Sequence, residues 1–276
     1  MKKYYSTHPE DFKKYTTEEL RDKYHISNLF AKDEVVLNYS FDDRIIVGSV
    51  MPVTKELIIN EVQELNSAYF LERRELGIIN IGGKGAIELD GEKFIMNELD
   101  GFYISKGVKE IKFFSDDSAK PAKFYLNSSP SHKEHPNKHI KFTEANPVAM
   151  GDAALANKRT IYQYVHPAVC ESSQLCMGLT MLEEGNVWNT MPPHTHDRRM
   201  EVYLYFNIYQ ENCVFHLMGQ KDQVRQVVMH NDEAIISPSW SIHSGAGVGN
   251  YTFIWGMCGE NQTFDDMDHI KVSELK

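Results

Sequence analysis

The sequence predicts a mainly β protein made of two antiparallel β units, each a small barrel or jelly roll, with short helices before the first. Three observations predict this fold class. From about residue 34 onward the chain consists of short apolar runs separated by Gly, Asp and Asn turns. Two stretches, KFIMNELDGFYISKGVKEI and QVVMHNDEAIISPSWSIH, form a faint internal repeat. A segment rich in Ser, Pro, Asn and Lys lies between them.

The helical signal is confined to the start of the chain. The stretch HPEDFKKYTTEELRDKYHI carries acidic residues early and basic residues late in its second part, which suits the helix dipole. Thr17 is the predicted N-cap. We expect one or two short helices here.

Strand signals fill the rest of the chain. They include RIIVGSV, ELGIINIG, KFIMN and FYISKG in the first half and MEVYLYFNIY, NCVFHLMG and YTFIWGM in the second. The predicted division is residues 1–127 for the helices and first barrel, 128–157 for a linker and 158–276 for the second barrel. Barrels and jelly rolls protect their strand edges and leave a mouth for a ligand.

Composition excludes several kinds of partner. The formal net charge is −10, and no basic tail or stripe is present, so neither nucleic acid nor an anionic membrane is an expected partner. No window approaches the roughly 20 apolar residues that cross a bilayer, and the polar start is unlike a signal peptide. The four cysteines form no C-x-x-C pair and are expected to be reduced. We expect a soluble, cytoplasmic protein.

Two histidines and a glutamate lie close together in the stretch MPPHTHDRRMEVYLYF. Residues i and i+2 of a strand face the same side, so His194 and His196 can converge on one point. Glu201 lies five residues beyond His196, the wrong parity for one unbroken strand. We therefore predict a turn or bulge at Asp197 to Arg199 that brings the glutamate back to the histidines.

Beyond this turn the stretch EVYLYFN alternates between two faces. Glu201, Tyr203, Tyr205 and Asn207 share the face that we expect to line a cavity. His243, in ISPSWSIHSGAG, is the best candidate for a fourth ligand. Three imidazoles and one carboxylate suit zinc, iron, manganese, nickel or copper, and the ligand set does not choose among them.

These residues resemble a known motif. GNVWNTMPPHTHDRRMEVY and ISPSWSIHSGAG resemble the two-part cupin motif, in which H-x-H-x4-E on one hairpin and a distal His on another hold one metal. The chain is also similar, nearly end to end, to the 5-dehydro-4-deoxy-D-glucuronate isomerase family, also called 4-deoxy-L-threo-5-hexosulose-uronate ketol-isomerases. DDRIIVGSVMP, NKRTIYQYV, QLCMGLT, HNDEAIISPSWSIHSG and FIWGMCGENQTFDDMD carry this similarity outside the metal motif.

The resemblance implies a bicupin with one divalent metal, zinc, in its second barrel. The implied ligands are His194, His196, Glu201 and His243. The first barrel is implied to have lost its metal, and Ile111 lies roughly where the repeat places His243. A cytoplasmic homohexamer is implied as well.

The implied reaction converts 5-dehydro-4-deoxy-D-glucuronate to 3-deoxy-D-glycero-2,5-hexodiulosonate, an aldose–ketose isomerisation in pectin and uronate breakdown. A divalent ion with these four ligands carries a net charge of about +1, which favours an anionic substrate and polarises a carbonyl. A base could then move a proton between C2 and C1 through a cis-enediol. A metal-assisted hydride shift is the competing mechanism, and both stay open.

The proton carrier and the carboxylate-binding group are candidates only. We expect catalysis to involve Glu201, Tyr203 and Tyr205, and a water bound to the metal is a further proton carrier. An arginine is expected to bind the substrate carboxylate, because its guanidinium is a planar fork. The candidate arginines are Arg198, Arg199 and Arg159. The alternative is that they are solvated turn residues or subunit contacts.

Several other side chains are predicted to be structural. The histidines of SHKEHPNKH, His132, His135 and His139, have metal-like spacing, but a solvated linker is the preferred interpretation. His216 and His230 lie on predicted strands and are more readily explained as hydrogen-bonded structural histidines than as substrate contacts. Trp240 and Trp255 are expected in the core or the pocket wall. The acidic GENQTFDDMD is a candidate cover for the barrel or a subunit contact.

Two other functions use the same fold. A cupin dioxygenase would bind Fe(II) and O2 with the same ligands, and oxygen consumption would identify it. A non-catalytic sugar-binding or storage cupin needs no metal ligands, so the intact set of four disfavours it.

Overall fold

The computed structural model describes residues 1–60, 62–260 and 265–276, and these residues are mainly β. In chain order, the first half contains β1 (Lys2–Tyr4), β2 (His25–Ile26), β3 (Val35–Ser40), β4 (Ile46–Val50), β5 (Leu57–Ile59), β6 (Arg74–Asn80), β7 (Gly85–Leu89), β8 (Glu92–Met96), β9 (Gly101–Ile104), β10 (Ile111–Ser115), β11 (Phe124–Pro130) and β12 (Lys138–Ile140). The second half contains β13 (Asn146–Met150), β14 (Arg159–Val165), β15 (Leu175–Leu182), β16 (Trp188–Asn189), β17 (His194–Thr195), β18 (Arg199–Phe206), β19 (Val214–Gly219), β20 (Arg225–Met229), β21 (Glu233–Ser237), β22 (Ile242–Gly247), β23 (Thr252–Gly259) and β24 (Asp268–His269).

Helices are short and concentrated near the N-terminus, as predicted. They are α1 (Pro9–Phe12), α2 (Thr17–Tyr24) and the 3-10 turns Gln63–Leu65, Phe142–Glu144, Ala153–Leu155 and Val272–Glu274. The predicted N-cap of α2, Thr17, is wrong by one residue. Thr16 is the cap, because its hydroxyl accepts from the Glu19 amide at 3.2 Å while the Glu19 carboxylate accepts from the Thr16 amide at 2.7 Å. This reciprocal pair satisfies two amides that the first helical turn leaves free.

The sheets repeat one pattern twice. The first half forms a seven-stranded sheet, β1-β3-β4-β11-β6-β9-β12, and a four-stranded sheet, β5-β10-β7-β8. The second half forms β13-β14-β15-β23-β18-β21-β2 and β16-β22-β19-β20. The internal repeat is therefore confirmed, with each unit a jelly-roll sandwich of two sheets and not one closed barrel. Within the described residues a further small sheet pairs β17 with β24.

One edge strand of the second unit comes from the first half of the chain. β2, near the N-terminus, pairs with β21 of the second unit, whereas β12 pairs with β9 of the first. The segment 128–157 also contains β13, which pairs with β14 of the second unit. This segment therefore contributes an edge strand to each large sheet, and its role as the boundary between domains stays a prediction.

Apolar side chains fill three regions. One cluster lies inside each unit, and a third joins the facing seven-stranded sheets. β18 is buried along its whole length because it serves two of these regions. Val202 and Leu204 face the joining cluster, while Tyr203 and Tyr205 face the interior of the second unit. The alternation of faces predicted for this strand is confirmed.

A buried carboxylate also links the units. Glu75 on β6 is fully buried and accepts hydrogen bonds from the hydroxyls of Tyr103 (2.7 Å) and Ser129 (2.9 Å). It also accepts from three successive second-half amides, those of residues 173–175, at 2.7 to 2.8 Å. A buried charge is tolerated only with such partners, so these bonds fix the two halves together.

No helix in the described part of the chain is both long enough and apolar enough to cross a lipid bilayer.

Candidate metal centre and cavity

Three of the four predicted metal ligands come from one short segment that contains β17, a turn and the start of β18. His194 lies on β17, His196 follows it, and Glu201 is the third residue of β18. The chain turns at Asp197 and Arg198 between the two strands. The turn required by the parity of Glu201 is therefore present where the sequence placed it.

The fourth residue, His243, lies on β22 in the opposite sheet and points at the same place. Its Nε2 atom is 2.9 Å from Glu201 Oε2 and 3.0 Å from His194 Nε2, and His196 Nε2 is 3.2 Å from the same carboxylate oxygen. One ligand atom from each residue lies within 4.8 Å of all the others, and the four side chains are buried. This group could hold a metal ion.

The hydrogen bonds behind the imidazoles set their tautomers. Nδ1 of His196 donates to the carbonyl of Arg199 at 2.8 Å, and Nδ1 of His243 donates to the carbonyl of Ser241 at 3.3 Å. A carbonyl can only accept, so both protons sit on Nδ1 and the Nε2 lone pairs face the Glu201 carboxylate. Lone pairs aimed at a carboxylate repel unless a cation lies between them. The four residues therefore fit a metal ion, and outer hydrogen bonds of this kind are typical of metal-binding histidines.

An ionised carboxylate and a neutral imidazole are the forms that bind metal. Burial, helped by His243, lowers the pKa of His194 to about 2, which favours the neutral imidazole. Burial acts to raise the pKa of Glu201, but His243 and His196 outweigh it and hold that pKa well below its usual value, which favours the carboxylate. The pKa of His196 is raised instead, because the neighbouring Glu201 carboxylate outweighs the opposing effect of burial. A metal ion bound at this group would therefore replace a proton at His196.

A cavity of about 960 Å³ opens in front of this group. His194 and Glu201 form part of its wall. Its other polar wall residues include Arg159, Gln163, Thr180, Thr190 and Tyr203. Its apolar wall includes Ile161, Phe253, Trp255 and Met257. A largely apolar cavity with a few convergent polar groups is typical of a small-molecule site.

Tyr203 is placed in the cavity as predicted. Its ring stands perpendicular to that of His243, with centroids 5.6 Å apart, and packs against Phe253 at 4.6 Å. Its hydroxyl pairs with the Thr190 hydroxyl at 2.9 Å. Burial raises the pKa of this phenol well above its usual value, so it is protonated at neutral pH.

Tyr205 and Asn207 do not line the cavity, contrary to the prediction. Tyr205 is fully buried, and its hydroxyl pairs with Nδ1 of His216 at 2.8 Å. Asn207 lies beyond the end of β18, is exposed and has a φ of 53°. Tyr205 does lie on the same face of β18 as Glu201 and Tyr203, as predicted. It misses the cavity because β18 continues past the cavity into the core.

Of the three candidate arginines, Arg159 alone lines the cavity. It is 9% exposed, and its guanidinium donates to the carbonyl of Asn157 at 2.7 Å. Arg198 and Arg199 do not line the cavity, because both pair with Asp266; the Arg198 contact is 2.7 Å. The turn arginines therefore bind a carboxylate of the chain itself.

The C-terminal segment adds residues that the sequence did not suggest. β24 pairs with β17, and the Ile270 amide donates to the Pro193 carbonyl at 2.9 Å. His269 and Lys271 thereby reach the cavity wall. Nothing local marks them as site residues, since pairing across 75 residues positions them. The stretch GENQTFDDMD, a predicted cover, is placed in part; its residues 261–264 lie outside the described residues, while Asp265 and Met267 line the cavity.

The linker histidines form no metal group in the described part of the chain. His132 is exposed, but the expectation of a wholly solvated linker is wrong for the other two. His135 contacts Glu171 at 3.3 Å, and His139 stacks on Phe102 with centroids 5.5 Å apart.

The remaining aromatic residues largely match their predictions. His216 is buried and hydrogen-bonded, and burial lowers its pKa to about 3. His230 is exposed. Trp255 lines the cavity, while Trp240 packs on the core residue Phe12 with centroids 5.3 Å apart.

Among its described residues the first unit has no group of candidate metal ligands comparable to that of the second unit. Ile111, on β10, belongs to an apolar cluster that also contains Leu76 and Phe113. β10 occupies the same place in its four-stranded sheet as β22, the strand of His243, does in the other. Apolar packing therefore stands where the second unit has a metal ligand.

Comparison with known proteins identifies the family. The model of the KduI/IolB family matches residues 30–272. The chain belongs to the KduI/IolB family. Two relatives are named 4-deoxy-L-threo-5-hexosulose-uronate ketol-isomerase. That of Enterococcus faecalis, named with the number 2, is 51% identical over 272 residues, 99% of each chain. That of Yersinia enterocolitica is 53% identical over 273 residues, 98% of each chain.

Solved structures support the cupin jelly-roll fold for this KduI/IolB chain. An IolB-like protein from Salmonella typhimurium LT2 superposes with a TM-score of 0.66, 12% identity and coverage of 82% of this chain and 87% of that one. Oxalate decarboxylase from Bacillus subtilis, in a study of its Mn(II) centres, superposes with a TM-score of 0.55 and 11% identity over 86% of this chain and 79% of that one. At these identities the likeness concerns the fold alone.

Proposed function

We propose that the protein is a metal-dependent ketol-isomerase that converts 5-dehydro-4-deoxy-D-glucuronate to 3-deoxy-D-glycero-2,5-hexodiulosonate in uronate and pectin catabolism. The observation that carries this proposal is the buried group of three histidines and one glutamate at the wall of a cavity, in a chain whose full-length relatives bear the name of this isomerase. A reaction that only moves hydrogen between adjacent carbons needs a carbonyl activator, a proton carrier and a clamp for the substrate's carboxylate.

His194, His196, Glu201 and His243 would hold the activator. A divalent ion bound there would act as a Lewis acid on the substrate carbonyl and make the adjacent C–H more acidic. We propose zinc, which these borderline ligands suit and which the family resemblance implies. The chain's own contribution is to orient two of these ligands, His196 and His243, through the carbonyls of Arg199 and Ser241.

Arg159 is the proposed clamp for the substrate carboxylate. It lines the cavity, and in the described part of the chain no carboxylate pairs with it. Gln163 and Thr180 on the same wall offer hydrogen bonds to substrate oxygens. The apolar residues Phe253 and Trp255 exclude water from the reacting carbons.

Tyr203 is the proposed proton carrier, acting with Glu201 on the same strand face. Its hydroxyl lies in the cavity wall, two residues from a metal ligand, whereas that of Tyr205 faces His216. The enediol and hydride-shift routes both remain compatible with this arrangement. We also propose the cytoplasm and a homohexamer as the setting, in keeping with the family resemblance and the free cysteines.

Proton NMR of the keto-uronate incubated with the zinc-loaded protein tests the proposal directly. We expect the substrate signals to be replaced by those of the 2,5-diketo acid, and we expect His243→Ala to abolish this conversion. Unchanged keto-uronate with the metal-loaded wild-type protein would overturn the proposed function. Oxygen uptake by the iron-loaded protein would favour a dioxygenase instead.

A further inference from the structure

Packing of its ring fixes the position of Tyr203, and one hydrogen bond fixes the direction of its hydroxyl group. Its ring packs against Phe253 at 4.6 Å and lies 5.7 Å from that of His216, edge to face. The side chain is 3% exposed, so the ring cannot swing aside. The phenolic hydrogen can still rotate, and the Thr190 hydroxyl at 2.9 Å is the partner that fixes its direction.

Thr190 is itself held firmly. Its carbonyl accepts from the Ser244 hydroxyl at 2.7 Å, and Ser244 follows the metal-ligand candidate His243. The preceding residue, Asn189, pairs with Gly245 on β22. Thr190 is thus anchored to the strand that carries His243.

The backbone of Thr190 is strained. Its φ is 47°, in the left-handed region that a β-branched residue rarely adopts. Such a conformation is unfavourable and persists only where surrounding contacts impose it. An asparagine or glycine would adopt this φ at less cost, but neither would place a hydroxyl at the same point. Strain at a cavity residue with a hydroxyl contact suggests selection for that contact.

We propose that Thr190 is a positioning residue that orients the Tyr203 hydroxyl toward the substrate, an inference that rests on the proposed isomerase function. When substrate occupies the cavity, the Thr190 hydroxyl donates to the phenol oxygen and leaves the phenolic hydrogen directed at the substrate oxygen. Thr190 acts through Tyr203 and needs no contact with the reacting carbons.

Two substitutions distinguish the effect of the Thr190 hydroxyl from the effect of the shape of the Thr190 side chain. Thr190→Val keeps the β-branched shape and the backbone preference but loses the hydroxyl, whereas Thr190→Ser keeps the hydroxyl. We expect Thr190→Val to lower kcat about three- to tenfold with KM and zinc content unchanged, the usual effect of one lost hydrogen bond. Thr190→Ser should restore most of kcat.

A double-mutant cycle with Tyr203→Phe completes the test. If Thr190 acts through Tyr203, Thr190→Val should have little further effect on kcat in the Tyr203→Phe background. Effects that multiply would overturn the inference, as would a Thr190→Val enzyme with wild-type kcat or a Thr190→Ser enzyme as slow as Thr190→Val. Wild-type protein that leaves the keto-uronate unchanged would instead contradict the proposed function.

Discussion

Arg199, which is fully buried, and Asp266, which is partly buried, form an ion pair that links the C-terminal segment to the turn between β17 and β18. Arg199 is fully buried, and its own carbonyl holds the Nδ1 proton of His196 at 2.8 Å. One residue therefore orients a ligand through its backbone and anchors the segment that brings Lys271 to the cavity through its side chain. We therefore expect a change in the Arg199–Asp266 pair to affect both the orientation of His196 and the position of the C-terminal segment.

We expect Asp266→Asn to reduce the free energy of unfolding by about 3 kcal/mol, because it removes the charge of the carboxylate that contacts the buried guanidinium of Arg199. Zinc affinity should fall with it. Arg198→Ala is the matched control, since Arg198 binds the same carboxylate but its side chain is 56% exposed. Arg198→Ala should reduce the free energy of unfolding by less than about 1 kcal/mol. Denaturant unfolding measures the stability of both variants, and zinc titration measures their zinc affinity. Equal losses of stability in the two variants would contradict the prediction that the Arg199 contact matters more than the Arg198 contact.

The spacing of neighbouring residues predicted the turn between β17 and β18. The features that were not predicted depend on contacts between residues far apart in the sequence. The alternation of β18 and the parity of Glu201 are properties of a few adjacent residues, so the ligand group and its turn could be derived. The partner of Arg198 and Arg199 lies 67 residues from Arg199, and no local rule connects the two. Tyr203 lines the cavity and Tyr205 does not. Where along β18 the cavity ends depends on how the two sheets pack, which is likewise not a local property of the sequence.

Removing one ligand should empty the metal site without unfolding the protein. We expect His243→Ala to weaken zinc binding by more than the roughly 10- to 100-fold that loss of an outer-shell partner costs. His230→Ala removes an exposed histidine and should leave zinc content at the wild-type level. Metal analysis after dialysis measures the zinc content of the two variants and the wild-type protein, and circular dichroism checks that each is folded. Full zinc content in the His243→Ala protein would exclude it as a ligand.

Two of the candidate arginines, Arg159 and Arg198, should differ sharply in their effect on KM. Arg159→Ala is expected to raise KM for the keto-uronate at least about tenfold, because it removes a charged hydrogen-bonding group from the cavity. Arg159→Lys should recover only part of this loss, since an ammonium lacks the planar fork. Arg198→Ala should leave KM within about twofold. Steady-state kinetics would refute the assignment if the two alanine variants behaved alike.

His216 should make the protein less stable in mild acid. Its pKa in the fold is about 3, below the usual 6.5, because it is buried. Below pH 6.5 the unfolded chain takes up a proton at this residue that the folded chain refuses until about pH 3. From pH 6.5 down to about 3 the free energy of unfolding should therefore fall by about 1.4 kcal/mol per pH unit from this group alone.

The comparison with His216→Asn isolates that contribution. Denaturant unfolding of both proteins from pH 7 to 4 should give a shallower pH dependence for the variant, whatever its absolute stability. Parallel curves would show that His216 is protonated in the folded protein as readily as in the unfolded chain.

The pairing of β2 with β21 has a consequence for how the chain folds. Its register joins His25 to Ile235 and Ile26 to Ala234, about 210 residues apart in the sequence. This edge of the second unit's seven-stranded sheet is therefore completed only by a contact of high sequence separation. A fragment that begins at residue 158 would carry all four ligands but lack β2 and the α2 residues Leu20 and Tyr24 that pack in its core. We therefore expect the second half not to fold as a separable module without the first 26 residues of the chain.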